Sequence, residues 1–175
     1  MIEFRTTATA VCLSRTPSVR EAHETRTAGT LRGLAAVFYR PGDPGTEFEL
    51  GPGVLERIDP GAFDEFLRSG GDVVALWNHD PNHLLGRRSA RTLKLSVDAV
   101  GLRYTVDAPA TQLGSDVMTL AARGDICGSS FSFVAERVDW QDIGGIAYRV
   151  IRQARLVDVS PVTFPAYGST SFTAG

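Results

Sequence analysis

The stretch SFSFVAERVDWQDIGGIAYRVIRQA, residues 130–154, decides the fold class of this chain. It contains two strand-like runs, residues 130–140 and 147–154, on either side of Gly144-Gly145. A glycine pair between two such runs is typical of a two-residue hairpin turn, because both central residues of that turn need positive φ. The sequence therefore predicts an antiparallel hairpin here.

Alternating apolar and polar residues indicate further strands. A second hairpin is predicted around a turn at residues 98–101, since alternation runs along both of its flanks. Apolar runs predict more strands at residues 31–39, 54–58, 73–77 and 156–163, and helical spacing predicts helices at 62–67 and 112–123. Roughly seven or eight strands with two helices fit a mainly β fold with peripheral helices, a β-barrel.

Length and composition are those of one ordinary globular domain. The chain has 175 residues, of which 43% are hydrophobic and 22% are charged, and a formal net charge of −2. This charge gives no electrostatic reason to expect nucleic acid or an anionic membrane as the partner. We expect an extended N-terminal arm at residues 1–28, a globular domain at residues 29–167 and a flexible tail at residues 168–175.

Cysteine content and hydropathy indicate the compartment. Two cysteines are too few for a disulfide framework. No apolar run approaches the roughly 18 residues of a membrane span, and the N-terminus lacks a signal-peptide pattern. The sequence therefore predicts a protein that works in a reducing cytosol.

His79 is the first candidate for chemistry, because it follows an apolar strand in a loop predicted at residues 78–83. An imidazole there is rigidly backed and open to a substrate. A plain loop histidine is one alternative, and a metal site formed by His79, Asp80 and His83 is another. Pro81 opposes the helix that this histidine spacing requires, and no Cys or Glu cluster completes a ligand set. We therefore expect neither a metal nor a cofactor.

Three hydroxyls, those of Ser129, Ser130 and Ser132, follow Gly128. A glycine shortly before a nucleophile leaves space for substrate and lets the backbone take strained angles. The alternative is an ordinary strand whose small polar residues point to one face. Spacing alone does not choose among the three serines. Cys127 is a further candidate nucleophile, although a small cysteine in an apolar segment is more often a core residue.

Asp158 is the candidate carboxylate. It lies between Val157 and Val159 on a predicted strand, so alternation places it opposite both valines. If the valines face the core, Asp158 is a surface residue. If the strand crosses the face that carries His79, Asp158 is able to orient the imidazole and stabilise its charge.

In chain order, several blocks within residues 29–167 resemble the prohead (capsid maturation) serine proteases of tailed phages. The blocks are Gly33-Leu34-Ala35-Ala36-Val37-Phe38, Ile58-Asp59-Pro60-Gly61-Ala62-Phe63, Ala75-Leu76-Trp77-Asn78-His79-Asp80, Leu85-Gly86-Arg87, Thr92-Leu93 with residues 98–102, Gly124-Asp125-Ile126 with Gly128 and Ser130-Phe131, and residues 156–166. The resemblance implies a barrel like that of the herpesvirus maturation proteases. It also implies a serine endopeptidase that enters the procapsid.

The resemblance assigns roles to individual residues. His79 matches the base of the family, and Ser130 matches the nucleophile, because the family's serine follows a glycine and one variable residue. Asp158 stands where the family pattern has a glutamate before Val-Ser. The candidate hydrogen-bond donors for the oxyanion are backbone N–H groups near Ser130 and the guanidinium groups of Arg152 and Arg155.

The resemblance also implies partners and a location. The substrates would be the major capsid protein and its scaffold. The enzyme would meet them in the host cytoplasm, inside the assembling procapsid. A homo-oligomer is compatible with these roles. Neither nucleic acid nor a membrane is expected as a partner. The competing hypothesis is a non-catalytic β-barrel that acts in capsid assembly or as a scaffold. The presence of His79, Ser130 and a carboxylate favours the enzyme.

Overall fold

The structure is a computed structural model that describes residues 27–164 and 171–174. The described helices are α1 (Asp64–Ser69) and α2 (Gln112–Arg123), and the described strands are β1 (Thr27–Val37), β2 (Glu47–Gly51), β3 (Val54–Ile58), β4 (Val74–Trp77), β5 (Asp80–Arg87), β6 (Leu93–Val97), β7 (Gly101–Pro109), β8 (Gly128–Ile143), β9 (Ile146–Val162) and β10 (Ser171–Ala174). The predicted arm lies outside the described residues except for its last two, which begin β1. Within the predicted tail, the described part is β10.

The strands form two sheets. The first has the order β10-β1-β7-β6, and each neighbouring pair in it is antiparallel. The second has the order β2-β3-β9-β4-β5, with β8 also paired to β9. The prediction of a mainly β fold with two peripheral helices is confirmed. Within the described residues, no strand pairing joins the two sheets into one closed barrel.

The predicted hairpin at Gly144-Gly145 is present as β8 and β9, and it is longer than the sequence indicates. β8 has 16 residues and β9 has 17, and the pairing begins at Ile143 and Ile146 beside the turn. Gly144 and Gly145 have φ values of 64° and 83°, as this turn requires. β9 is also parallel to β3 and to β4. β9 therefore joins the hairpin to two strands from the first half of the chain, β3 and β4.

The two helices end at the residues that their sequences favour. Thr111 caps α2 by accepting a hydrogen bond from the backbone N–H of Gly114 at 3.3 Å, and Gly124 ends it with a φ of 81°. Gly70 ends α1 in the same left-handed conformation. In the part of the chain that the structure describes, no helix is long and apolar enough to cross a membrane.

The core contains buried residues from both sheets and both helices. Phe131 of β8 is a core residue that lies between the candidate serines Ser130 and Ser132 in the sequence. Its ring packs edge-on against Phe63 at 5.7 Å and is stacked on Phe133 at 5.0 Å between centroids. Burial of such a side chain stabilises the fold by about 1.5–3 kcal/mol. Since neighbouring strand residues point to opposite faces, Phe131 in the core directs Ser130 and Ser132 away from it.

The segment after β4 differs from the prediction. The sequence predicts a loop at residues 78–83, whereas β5 already begins at Asp80, so that only Asn78 and His79 connect the strands. Polar residues at positions 80–83 resemble a loop in the sequence. In the structure they belong to a strand that is largely exposed, and an exposed strand does not need apolar residues.

Candidate active site

His79 lies in the turn between β4 and β5. Trp77 pairs with Asp80, so Asn78 and His79 are the central residues of the turn, and their φ values are 54° and 59°. Two positive φ values define a type I′ hairpin turn, which favours Asn-Gly. His79 therefore occupies the position at which glycine is preferred. Holding a histidine there stores backbone strain of order 1–3 kcal/mol, a feature that concentrates at functional sites.

Asp158 reaches the same face through a β-bulge in β9. Ser132 pairs with Asp158, while the next residue of β8, Phe133, already pairs with Leu156, so Val157 is the extra residue. In a regular strand Leu156 and Asp158 would share a face. The bulge leaves Leu156 in the core, 1% exposed, and turns Asp158 to the opposite face.

The imidazole and the carboxylate are in direct contact. Nδ1 of His79 lies 2.6 Å from Oδ1 of Asp158, and Ser160 donates its hydroxyl to the same Oδ1 at 2.7 Å. Asp158 is 4% exposed, whereas a third of the His79 side chain is exposed. A buried carboxylate at Nδ1 holds the N–H on that nitrogen and fixes the ring orientation. The other nitrogen, Nε2, is then the basic atom of the ring.

The pKa of Asp158 is set by opposing effects. Burial is the largest of them and raises the pKa, because it disfavours the charged form. Hydrogen bonds with His79, Ser132 and Ser160, together with the charge of His79, lower the pKa and prevail, so it falls below its ordinary value of 3.8. The carboxylate is therefore ionised at neutral pH.

This shift predicts a pH dependence of stability. A depressed pKa in the folded state means that the Asp158 charge stabilises the fold above pH 3.8 and that this stability is lost as the pH falls through the folded value. We expect the Tm difference between wild type and Asp158→Asn to be largest near neutral pH and to shrink below about pH 4. Thermal unfolding followed by circular dichroism measures this. A constant difference down to about pH 3 would contradict the lowered pKa.

The candidate serines face different ways. Ser132 pairs with Asp158 across β8 and β9, and Ser130, two residues earlier, lies on the same face. Ser129 lies on the opposite face, where its Oγ is 3.0 Å from the hydroxyl of Tyr104 inside the core. Ser129 is therefore a core residue, and of the three serines Ser130 and Ser132 remain candidate nucleophiles.

Ser132 contacts His79 at the nitrogen that a nucleophile does not use. Its Oγ lies 3.2 Å from Nδ1, the same nitrogen that binds Asp158. In a Ser-His-Asp triad the serine gives its proton to the other nitrogen, Nε2. Ser130 makes no hydrogen bond to His79 among the described contacts. Catalytic hydrogen bonds are often long before a substrate binds, so the lack of a bond between Ser130 and His79 does not exclude Ser130 as the nucleophile.

The metal alternative has no support from the geometry. Among the described residues, no group of three His, Cys, Asp or Glu side chains is arranged to hold a metal ion. Nδ1 of His83 lies 3.2 Å from Oδ2 of Asp80, whereas His79 is directed to β9. The thiol alternative, Cys127, is exposed and precedes β8.

Arg152 is a poor oxyanion donor. It forms ion pairs with Asp59 and with Asp139, the latter at 2.8 Å. Strands rise about 3.3 Å per residue, so Arg152 lies roughly 20 Å before Asp158 along β9. Arg155 forms a long ion pair of 3.7 Å with a glutamate of β8. Backbone N–H groups near the nucleophile are therefore the better candidates.

Two hydroxyls of the site were not predicted as partners of the carboxylate. Ser160 could have been found from its spacing, because residues two apart on a strand share a face and Asp158 precedes it by two. The contact of Ser132 depends on the register of β8 against β9. No local pattern in the sequence specifies that register.

Comparison with known proteins identifies the family of this chain. The family model described as caudovirus prohead serine protease matches residues 16–174. No curated protein and no solved structure matches the chain significantly. The predicted resemblance to the prohead serine proteases is confirmed by the family match. Since the match covers nearly the whole sequence, the chain belongs to the caudovirus prohead serine protease family.

Proposed function

We propose that this chain is a serine endopeptidase that removes scaffold segments from the capsid protein inside the assembling phage procapsid. Family membership supports the coarser statement, a prohead serine protease. The observation that carries the catalytic assignment is the 2.6 Å contact between Nδ1 of His79 and Oδ1 of Asp158, on the face that Ser130 shares. We assign Ser130 as nucleophile, His79 as general base and Asp158 as the orienting carboxylate.

Acylation follows from these roles. Nε2 of His79 takes the proton of the Ser130 hydroxyl as Oγ attacks the scissile carbonyl carbon. Asp158 stays ionised and stabilises the imidazolium that forms. The imidazolium then gives its proton to the amide nitrogen, the C–N bond breaks, and the new amine leaves. Ser130 remains joined to the acyl group as an ester.

Deacylation repeats the same proton transfers with water. Nε2 of His79 removes a proton from a water molecule, and the oxygen attacks the ester carbon. The proton returns to Oγ of Ser130 as the ester bond breaks, which releases a carboxylic acid and restores the enzyme. Donors that meet the oxyanion in both steps are worth about 3 kcal/mol each.

Co-expression with the capsid protein tests the proposed function. The full chain and the major capsid protein from the same source are produced together, and intact masses are measured. A shortened capsid protein with the wild-type chain, and a full-length one without it, is the expected result. Full-length capsid protein in both cases would instead favour the non-catalytic assembly factor.

Chelation separates this mechanism from a metal hydrolase. The proposed residues move protons and form an ester without a metal ion, so we expect full cleavage of the capsid protein in excess EDTA. Cleavage is followed by intact mass with and without the chelator. Loss of activity that added zinc restores would contradict the serine mechanism and return attention to His79, Asp80 and His83.

A further inference from the structure

We propose that Asn78 is a positioning residue that holds the His79 turn against the end of β9 and thereby sets the imidazole on Asp158. This inference rests on the proposed function, in which His79 is the general base. It concerns a residue that the reaction itself does not require, because Asn78 contacts neither the imidazole nor the carboxylate among the described contacts.

Asn78 makes three hydrogen bonds to two residues near the end of β9. Its backbone N–H donates to the carbonyl of Pro161 at 3.1 Å. Its side-chain Oδ1 accepts from the backbone N–H of Thr163 at 2.9 Å, and its Nδ2 donates to Oγ1 of Thr163 at 3.3 Å. Pro161 and Thr163 follow Asp158 closely on the same chain segment. The turn and the carboxylate are therefore attached to one piece of backbone.

The strand pairing explains why such an attachment is needed. β4 pairs with β9 at Val74–Asp158 and Ala75–Val159. Pro161 has no N–H, so β9 is unable to donate to β4 at that residue. The side-chain amide of Asn78 takes the place of a further strand residue and accepts the next backbone N–H instead. The hydrogen bonds between β4 and β9 thus continue as far as Asn78, the residue before His79.

The residue type fits both demands of this position. Residue 78 has a φ of 54°, which asparagine tolerates better than most residues. An amide also combines an acceptor with a donor, and both are used here. Asn78 is exposed, so each of its hydrogen bonds adds little to overall stability. We therefore expect its loss to affect catalysis more than folding.

Three variants separate the attachment from the turn. Asn78→Gly keeps a residue that accepts positive φ but removes both side-chain bonds. Asn78→Asp keeps the acceptor for the N–H of Thr163. Thr163→Val is the matched control, since it removes only Oγ1. Each is compared with wild type in kcat and KM on a peptide spanning the mapped capsid cleavage site, in Tm, and in the downfield NMR resonance of the His79 Nδ1–H bonded to Asp158.

For Asn78→Gly we expect kcat to fall roughly 10- to 100-fold with KM almost unchanged, since a misplacement of about 1 Å costs about a hundredfold. The downfield resonance should broaden or vanish, and Tm should change little. Asn78→Asp and Thr163→Val should retain most of kcat and the resonance. Wild-type kcat and resonance in Asn78→Gly, or an equal loss in Asn78→Asp, would overturn the proposal. The resonance reports the contact between His79 and Asp158 and does not require cleavage. If the wild type were inactive, the proposed function would be rejected, but the resonance would still test whether Asn78 positions His79.

Discussion

Replacement of Ser130 by alanine is expected to abolish cleavage of the capsid protein and to leave the fold intact. The change removes one hydroxyl, which is 9% exposed, from the face of β8 that Ser132 shares. Loss of the nucleophile or of the base of a triad lowers turnover about a millionfold. His79→Ala should be equally damaging, and the double variant little worse, because the two side chains act as one unit. Intact mass of the co-expressed capsid protein, with Tm measured in parallel, checks all three variants.

The neighbouring serines are the controls. Ser129→Ala should keep substantial activity and lose some stability, about 1–3 kcal/mol, because it removes the partner that Ser129 gives the buried Tyr104 hydroxyl. Ser132→Ala should also keep substantial activity, since Ser132 contacts the nitrogen that faces Asp158. An inactive Ser132→Ala beside an active Ser130→Ala would make Ser132 the nucleophile.

Replacement of Asp158 by asparagine is expected to lower turnover about ten-thousandfold. The variant keeps the shape of the side chain but removes the charge that stabilises the imidazolium. It also presents an amide that is able to hold the wrong tautomer of His79. Because both His79 and Ser160 bond to the carboxylate, an amide nitrogen on that side leaves a donor without its acceptor.

Turnover and Tm must be measured together for Asp158→Asn. Asp158→Glu is the companion variant, since glutamate is the residue of the family pattern, and its longer side chain should give partial activity. A stable Asp158→Asn protein with near-native turnover would remove Asp158 from the site. It would leave the 2.6 Å contact with His79 as a structural interaction only.

Much of the fold was predictable because its signals are local. Gly144-Gly145 specifies a turn through the φ values that it allows, and β8 and β9 follow from it. The helix at residues 112–123 was predicted with its observed bounds, since apolar spacing and a following glycine mark both its face and its end. The relation between the sheets depends on contacts distant in sequence, so the division of the described strands into two sheets was not predicted.

The orientation of Asp158 was not predictable from alternation. The sequence offered two choices, both of which assume a regular strand with Val157 and Val159 on one face. In the structure Val159 is fully buried and Val157 is 46% exposed, while Asp158 is buried. The β-bulge accounts for all three observations. A bulge depends on how a strand pairs with its neighbour, so the sequence of one strand alone does not indicate it.

The turn that holds His79 has a consequence for the evolution of the family. At this position the preferred residue for the backbone is glycine, whereas the proposed chemistry needs an imidazole. At position 79, glycine would therefore favour stability, whereas histidine favours activity. In a descendant no longer selected for proteolysis, mutation to Asn-Gly would relieve strain and spread easily. Replacement of the serine would give no such gain. We therefore expect the dipeptide after β4 to differ between working proteases and relatives that retain only the fold.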